Sequence, residues 1–140
     1  MSRVRLADVS NAPLDEDRIA SLVSDDGAGA VVTFAGVVRS RDHNRVVRSL
    51  TYEGHPTAAE VLADVARTIA EEHDVIALAV AHRIGDLAIG DAALVAAVAS
   101  AHRGEAFRAC QALVDLTKER LPVWKHQFFA DGTDEWVNCA

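Results

Sequence analysis

The sequence predicts an α+β fold, with two long helices packed on a largely antiparallel sheet. Three observations carry this expectation. Apolar residues recur at helical spacing over 59–70 and again over 107–117, and β-branched runs bounded by glycine lie before and between those stretches. No internal repeat, linker or low-complexity segment interrupts them, so the elements are expected to share one core. The 140 residues, half of them apolar and a quarter charged, suit a single domain spanning residues 1–140.

Val4, Leu6 and Val9 mark a short first strand. Asp15 then caps a modest helix through Ile19, Leu22 and Val23, which ends near the Gly27–Gly29 turn. The run from Gly29 to Val38, GAVVTFAGVV, reads as a central strand, followed by a polar loop over Arg39–Arg45. Val47, Leu50 and Tyr52 form the next strand. Pro56 opens the first long helix, since its fixed φ and missing N–H suit a helix start, and Ala59, Val61, Leu62, Val65, Ile69 and Ala70 follow at helical spacing.

Two strands, Val75–Ile84 and Ala92–Ala99, are expected next, joined through Gly85-Asp86 and Gly90-Asp91 turns. The second long helix runs from about Gly104 to Arg120, with Phe107, Cys110, Leu113, Val114 and Thr117 along one face. It stops at Leu121-Pro122, because proline crowds a helical residue before it. Val123–Phe129 and Trp136-Val137 read as closing strands.

A formal charge of −7 argues against a nucleic-acid partner, since phosphate-backbone binding rests on a basic surface. It leaves room for a small anion in a locally basic cleft. Cys110 and Cys139 form no CxxC and are too few for a disulfide framework, which fits a reducing compartment. Met1–Ser10 mixes Arg3, Arg5 and Asp8 among apolar residues, so no signal-peptide core is expected, and no stretch reaches membrane-spanning length. The cytoplasm is the expected location. The six histidines, His43, His55, His73, His82, His102 and His126, show neither HxH nor HExxH spacing, so no metal site is expected.

Candidate chemistry gathers at four places. His102-Arg103 lies where a strand gives way to a helix, and free backbone N–H groups beside a guanidinium favour an anion such as phosphate. The bland reading is a solvated helix start. Lys118 lies eleven residues beyond Phe107, within about 20° of the same helix face. It is either a snorkelling lysine or a partly desolvated amine suited to proton transfer. Lys125 follows the helix stop, where the returning chain brings it toward Lys118 or leaves it on a surface strand. Arg39, Arg41, Arg45 and Arg48 form the densest basic stretch, at a strand end where ligand contacts are common.

Four segments in order, GAVVTFAGVVR from Gly29, HRIGDLAIGD from His82, SAHRGEAF from Ser100 and LTKERLPVWK from Leu116, resemble the large, catalytic subunit of molybdopterin synthase. A tryptophan after a short acidic turn, Trp136, extends the likeness over most of the chain. The resemblance implies an α/β-hammerhead-like fold and a sulfurtransferase in molybdenum-cofactor assembly. In that family a ubiquitin-like small subunit delivers sulfur as a C-terminal thiocarboxylate, and the large subunit converts cyclic pyranopterin monophosphate to molybdopterin. It implies no bound cofactor.

Carried over by position, the resemblance makes Lys118 and Lys125 catalytic and places substrate contacts on Arg39, His102, Arg103, Lys118 and Lys125. His126 and Gln127, where relatives carry other polar residues, are further expected contacts, and Val37 stands where some relatives are basic. The sulfur comes from the partner, so neither cysteine need act as a nucleophile.

Helix geometry adds a constraint. His102 and Lys118 are separated by most of a helix, more than about 20 Å at roughly 1.5 Å per residue. One small pterin cannot touch both, so a homodimer within a heterotetramer is expected, pairing His102-Arg103 of one chain with Lys118 and Lys125 of the other. The competing expectation is a non-catalytic module that binds a phosphorylated metabolite or a ubiquitin-like tail.

Overall fold

A computed structural model describes residues 2–138, so the expectation for Cys139 lies outside the described residues. Among them the chain folds as three helices and nine strands in a mixed α+β arrangement. The strands are β1 (Val4–Ser10), β2 (Ala30–Val37), β3 (Arg41–Asp42), β4 (Arg45–Gly54), β5 (Ala77–Arg83), β6 (Gly85–Ala88), β7 (Ala92–Ser100), β8 (Val123–Phe129) and β9 (Asp134–Asn138). The helices are α1 (Glu16–Ser21), α2 (Ala58–Glu72) and α3 (Arg103–Arg120).

The expected single sheet is two. One has the strand order β1-β5-β7-β2, and the other runs β3-β4-β8-β9 with β6 added along β4. Pairing is antiparallel except between β1 and β5, which run parallel with Leu6 beside Ala79 and Val9 beside His82. A parallel pair needs a long crossover, and here everything from α1 through α2 lies between the two strands.

The Gly29–Val38 run is a strand but not a central one, because β2 closes the edge of its sheet beyond β7. The interior strands are β5 and β7, whose alanine-rich sequences ALAVAHR and AALVAAVAS give a weaker strand signal yet are buried almost throughout. Their period of two divides the core. Leu78, Val80, Leu94, Ala96 and Val98 face one cluster, shared with α2, α3 and residues of the second sheet. Ala77, Ala79, Ala81, Ala97 and Ala99 face the other, where small side chains let Ile19 and Val23 from α1 and its C-terminal end pack closely.

Each helix starts and stops where local chemistry directs. The Asp15 side chain accepts from the Arg18 backbone N–H at 3.1 Å, capping α1. Helix α3 buries Ala106, Ala109, Cys110, Leu113, Val114 and Thr117, and the Leu121 N–H donates to the Thr117 carbonyl before Pro122 ends it. Phe107 departs from the expected buried face: it is 61% exposed, because Ala106 and Ala109 take the positions nearest the sheet. The polar loop after β2 holds a small hairpin, with Arg41 opposite Val46 and a turn at His43 and Asn44. Their φ values of 50° and 64° suit a two-residue hairpin turn. The expected Gly85-Asp86 turn is instead the start of β6, drawn into pairing by β4 through Leu50 and Leu87.

Candidate functional site

The second sheet meets the end of β2 and the C-terminal part of α3 around a cavity of about 360 Å³. Four of the expected site residues line it: Arg39, Lys118, Lys125 and Gln127. Strand pairing explains part of this convergence. On β4 and β8, Leu50 lies opposite Gln127 and Tyr52 opposite Lys125, so all four side chains rise on one face. Lys118 comes from the last turn of α3, where Thr117 takes the buried position and donates from its hydroxyl to the Leu113 carbonyl at 2.7 Å. Lys118 itself is exposed at the cavity, which in this chain alone agrees with the snorkelling alternative and not with partial desolvation.

The residue that organises the cavity was not among the sequence candidates. Asp42, from the short β3, accepts from the Gln127 side-chain amide at 2.8 Å and pairs with Arg39 at 3.4 Å. The Gln127 hydrogen bond is the main influence holding the Asp42 carboxyl below its ordinary range; burial opposes it, while the charges of His43, Lys125 and Arg39 add to it. A carboxylate thus fixes one side of a cavity that Arg39, Arg41, Lys118 and Lys125 make cationic.

His82 is the other unforeseen wall residue. It is wholly buried, its Nδ1 lies 2.8 Å from the Arg83 carbonyl oxygen, and its ring meets Tyr52 edge-on at 4.9 Å. Burial chiefly pushes its pKa down to about 4; the Arg83 carbonyl works against this and the Lys118 charge adds to it. The motif containing His82 also has a structural part. Arg83 pairs with Asp91 at 3.3 Å, and Asp91 accepts from the Ala88 N–H at 2.9 Å, which ties β5 to the turn after β6.

Three expected contacts lie elsewhere. Strand alternation places His126 on the other side of β8, stacked on Trp136 at 4.1 Å and bonded to Asp134 at 2.5 Å. His102 and Arg103 are exposed at the start of α3, the opposite end from Lys118. His102 is the N-cap residue, makes no capping bond with its side chain, and is followed in the first turn by Glu105, whose own negative charge complements the helix dipole. Of the other loop arginines, Arg45 is structural: it lies over the Phe129 ring at 3.6 Å and bonds to the Thr133 hydroxyl.

Cys110 is buried, which pushes its thiol up to about 11 and makes it a poor nucleophile at neutral pH. Among the described residues no three His, Cys, Asp or Glu side chains gather as a metal site, and no helix is long and apolar enough to cross a membrane.

Comparison with known proteins adds to this geometry. The family model described as MoaE protein matches residues 9–120. A molybdopterin synthase catalytic subunit of Aspergillus niger is 37% identical over 125 residues, covering 89% of this chain and 69% of that protein. The crystal structure of molybdopterin synthase from Staphylococcus aureus superimposes with a TM-score of 0.86 at 31% identity, covering 93% of this chain and 95% of that one. A chain in a complex of subunits 1 and 2 of molybdopterin-converting factor from Helicobacter pylori shares the fold, with a TM-score of 0.69 at 17% identity over 98% of this chain and 90% of that one. The cavity residues Arg39 and Lys118 fall within the matched span, and the chain belongs to the MoaE protein family.

Proposed function

We propose that the chain, residues 1–140 acting as one domain with the family's hammerhead-like arrangement, is the catalytic subunit of a molybdopterin synthase. It transfers sulfur to cyclic pyranopterin monophosphate in the cytoplasm, taking the sulfur from the thiocarboxylated C-terminus of a ubiquitin-like small subunit. The observation that carries this reading is the convergence of Arg39, Lys118, Lys125 and Gln127 on one cavity.

The cations have separate tasks. Arg39 holds phosphate oxygens in the plane of its guanidinium, while Lys118 and Lys125 stabilise the developing anion and move protons as the thiocarboxylate sulfur attacks the pterin side chain. Each transfer forms a carbon–sulfur bond in place of a carbon–oxygen bond on the pterin side chain, whose oxygen leaves on phosphate or, protonated by a lysine, as water; hydrolysis then breaks the sulfur–acyl bond, and water supplies the oxygen of the tail's remaining carboxylate. Lys118, exposed in the isolated chain, faces the incoming tail, and the arrival of that tail removes it from water.

His102 and Arg103 complete the site from a second copy. Most of the 18-residue α3 separates them from Lys118, about 24 Å from His102 at 1.5 Å per residue, which is too far for one small ligand. The edge strand β2 with exposed Val31, and the groove of Val32, Phe34, Phe107 and Val114 beside it, offer that copy an apolar seat. Two catalytic chains and two small subunits make a heterotetramer.

The test is dithiolene formation from the pyranopterin and thiocarboxylated small subunit. Wild type is expected to turn over and Lys118→Ala to lose activity while keeping its fold and its partner. A folded Lys118→Ala with normal turnover overturns the assignment. Binding of the pterin or tail with no product from wild type supports a non-catalytic module instead.

A further inference from the structure

One polar atom in the cavity wall has a role still to be assigned. Period-two alternation on β5 places Leu78, Val80 and His82 on the face that packs toward the helices, with His82 at the strand's end where it lines the cavity. The Arg83 carbonyl can only accept, so Nδ1 of His82 carries the hydrogen of that 2.8 Å contact. The neutral ring then has a bare lone pair on Nε2. That nitrogen is buried and no described group donates to it. Tyr52, edge-on to the ring, holds the imidazole in place.

Resting on the function proposed above, we propose that Nε2 of His82 accepts a hydrogen bond from an N–H of the molecule held between Lys118 and Lys125. The surrounding cations, Arg39, Arg41, Lys118 and Lys125, can only donate, and the Asp42 carboxylate is engaged by Gln127 and Arg39. The cavity is therefore polar in two senses. Its cations select the anionic part of a ligand, and the His82 lone pair selects an N–H on the same ligand, which fixes orientation rather than only affinity. Burial, the main influence on this imidazole, and the nearby Lys118 charge both keep Nε2 an acceptor at neutral pH. Both the pterin ring and the amide backbone of a glycine tail carry such an N–H.

The experiment is equilibrium binding to the full-length protein, with cyclic pyranopterin monophosphate in one arm and the small subunit in the other. His82→Phe keeps a ring against Tyr52 without a nitrogen, and His82→Gln returns an acceptor near the position of Nε2. The Phe variant is expected to weaken one of the two ligands about five- to hundredfold, with most of the loss recovered by Gln. The weakened arm identifies the source of the N–H. Where the Phe variant does not fold, His82→Leu serves as the nitrogen-free protein. A folded nitrogen-free variant that binds both ligands as wild type does overturns this role alone. Wild type that binds neither ligand overturns the functional reading, and this role with it.

Discussion

The two ends of α3 use the same residue types, a histidine beside basic side chains, yet they are built differently. At the C-terminal end, Lys118 meets a cavity in which Asp42, held by Gln127, pairs with Arg39, with a buried histidine in the wall. At the N-terminal end, His102 and Arg103 stand in solvent, followed in the first turn by Glu105. On the function proposed above, the exposed end is finished by something outside the chain. A second copy is the occupant that would use both ends at once.

The sharpest test of this contrast mixes defects at its two ends. Lys118→Ala and Arg103→Ala are each expected to be nearly inactive. Dimers re-formed from equal amounts of the two should regain about a quarter of wild-type turnover, because half are mixed and each mixed dimer has one intact site. No recovery in a mixture that demonstrably exchanges subunits would return both ends to separate roles.

A smaller effect is expected from the organiser. Asp42→Ala frees Gln127 and Arg39, and a misplaced cation should lower kcat/KM about tenfold to hundredfold with little loss of fold. Steady-state kinetics beside a thermal melt separates the two outcomes, and unchanged kcat/KM would make Asp42 a spectator.

His82 then predicts a pH effect on stability. Its pKa falls from 6.5 in the unfolded chain to about 4 in the folded one, so the unfolded state binds the extra proton between those values. This contribution is fully present above about pH 6.5 and is lost as pH falls toward 4, amounting to about 3 kcal/mol. Denaturant unfolding of wild type and His82→Phe across that window should show a steeper slope in wild type, and equal slopes would refute this linkage. The least sensitive position is His126, on the far side of β8. His126→Ala should cost under about 1 kcal/mol and leave turnover within about twofold, and a large loss of turnover would bring that face into the site.

The long helices, the α1 cap and most strands were legible because each depends on neighbours in sequence: a 3.6-residue period, an Asp before a helix, a glycine-bounded run. Strand order was not, because it depends on distant partners. The β-branched Gly29–Val38 run reads as interior while the alanine-rich β5 and β7 read as weaker, and burial reverses that ranking. In the same way Lys118 and Lys125 could be paired across a helix stop, whereas the bond from Gln127 to Asp42 spans 85 positions. His82 was hidden for another reason. Its apolar run, Val75–Ile84, hints at burial, but the approach of Tyr52, thirty positions away, and of the cavity does not show in sequence.

Strand β8 carries a tighter requirement than any one of its residues. Lys125 and Gln127 open onto the cavity while His126 stacks with Trp136 on the opposite side, so the two sets interleave one residue at a time. Substitution can tune either set without disturbing the other. Deleting a single residue between Pro122 and Lys125 would invert the strand, presenting the rings of His126 and Phe128 to the cavity and turning Lys125 outward, and adding one would bring His126 inward in the same way. Variation in this segment should therefore proceed by replacement alone, and libraries built to reshape the cavity should hold its length constant.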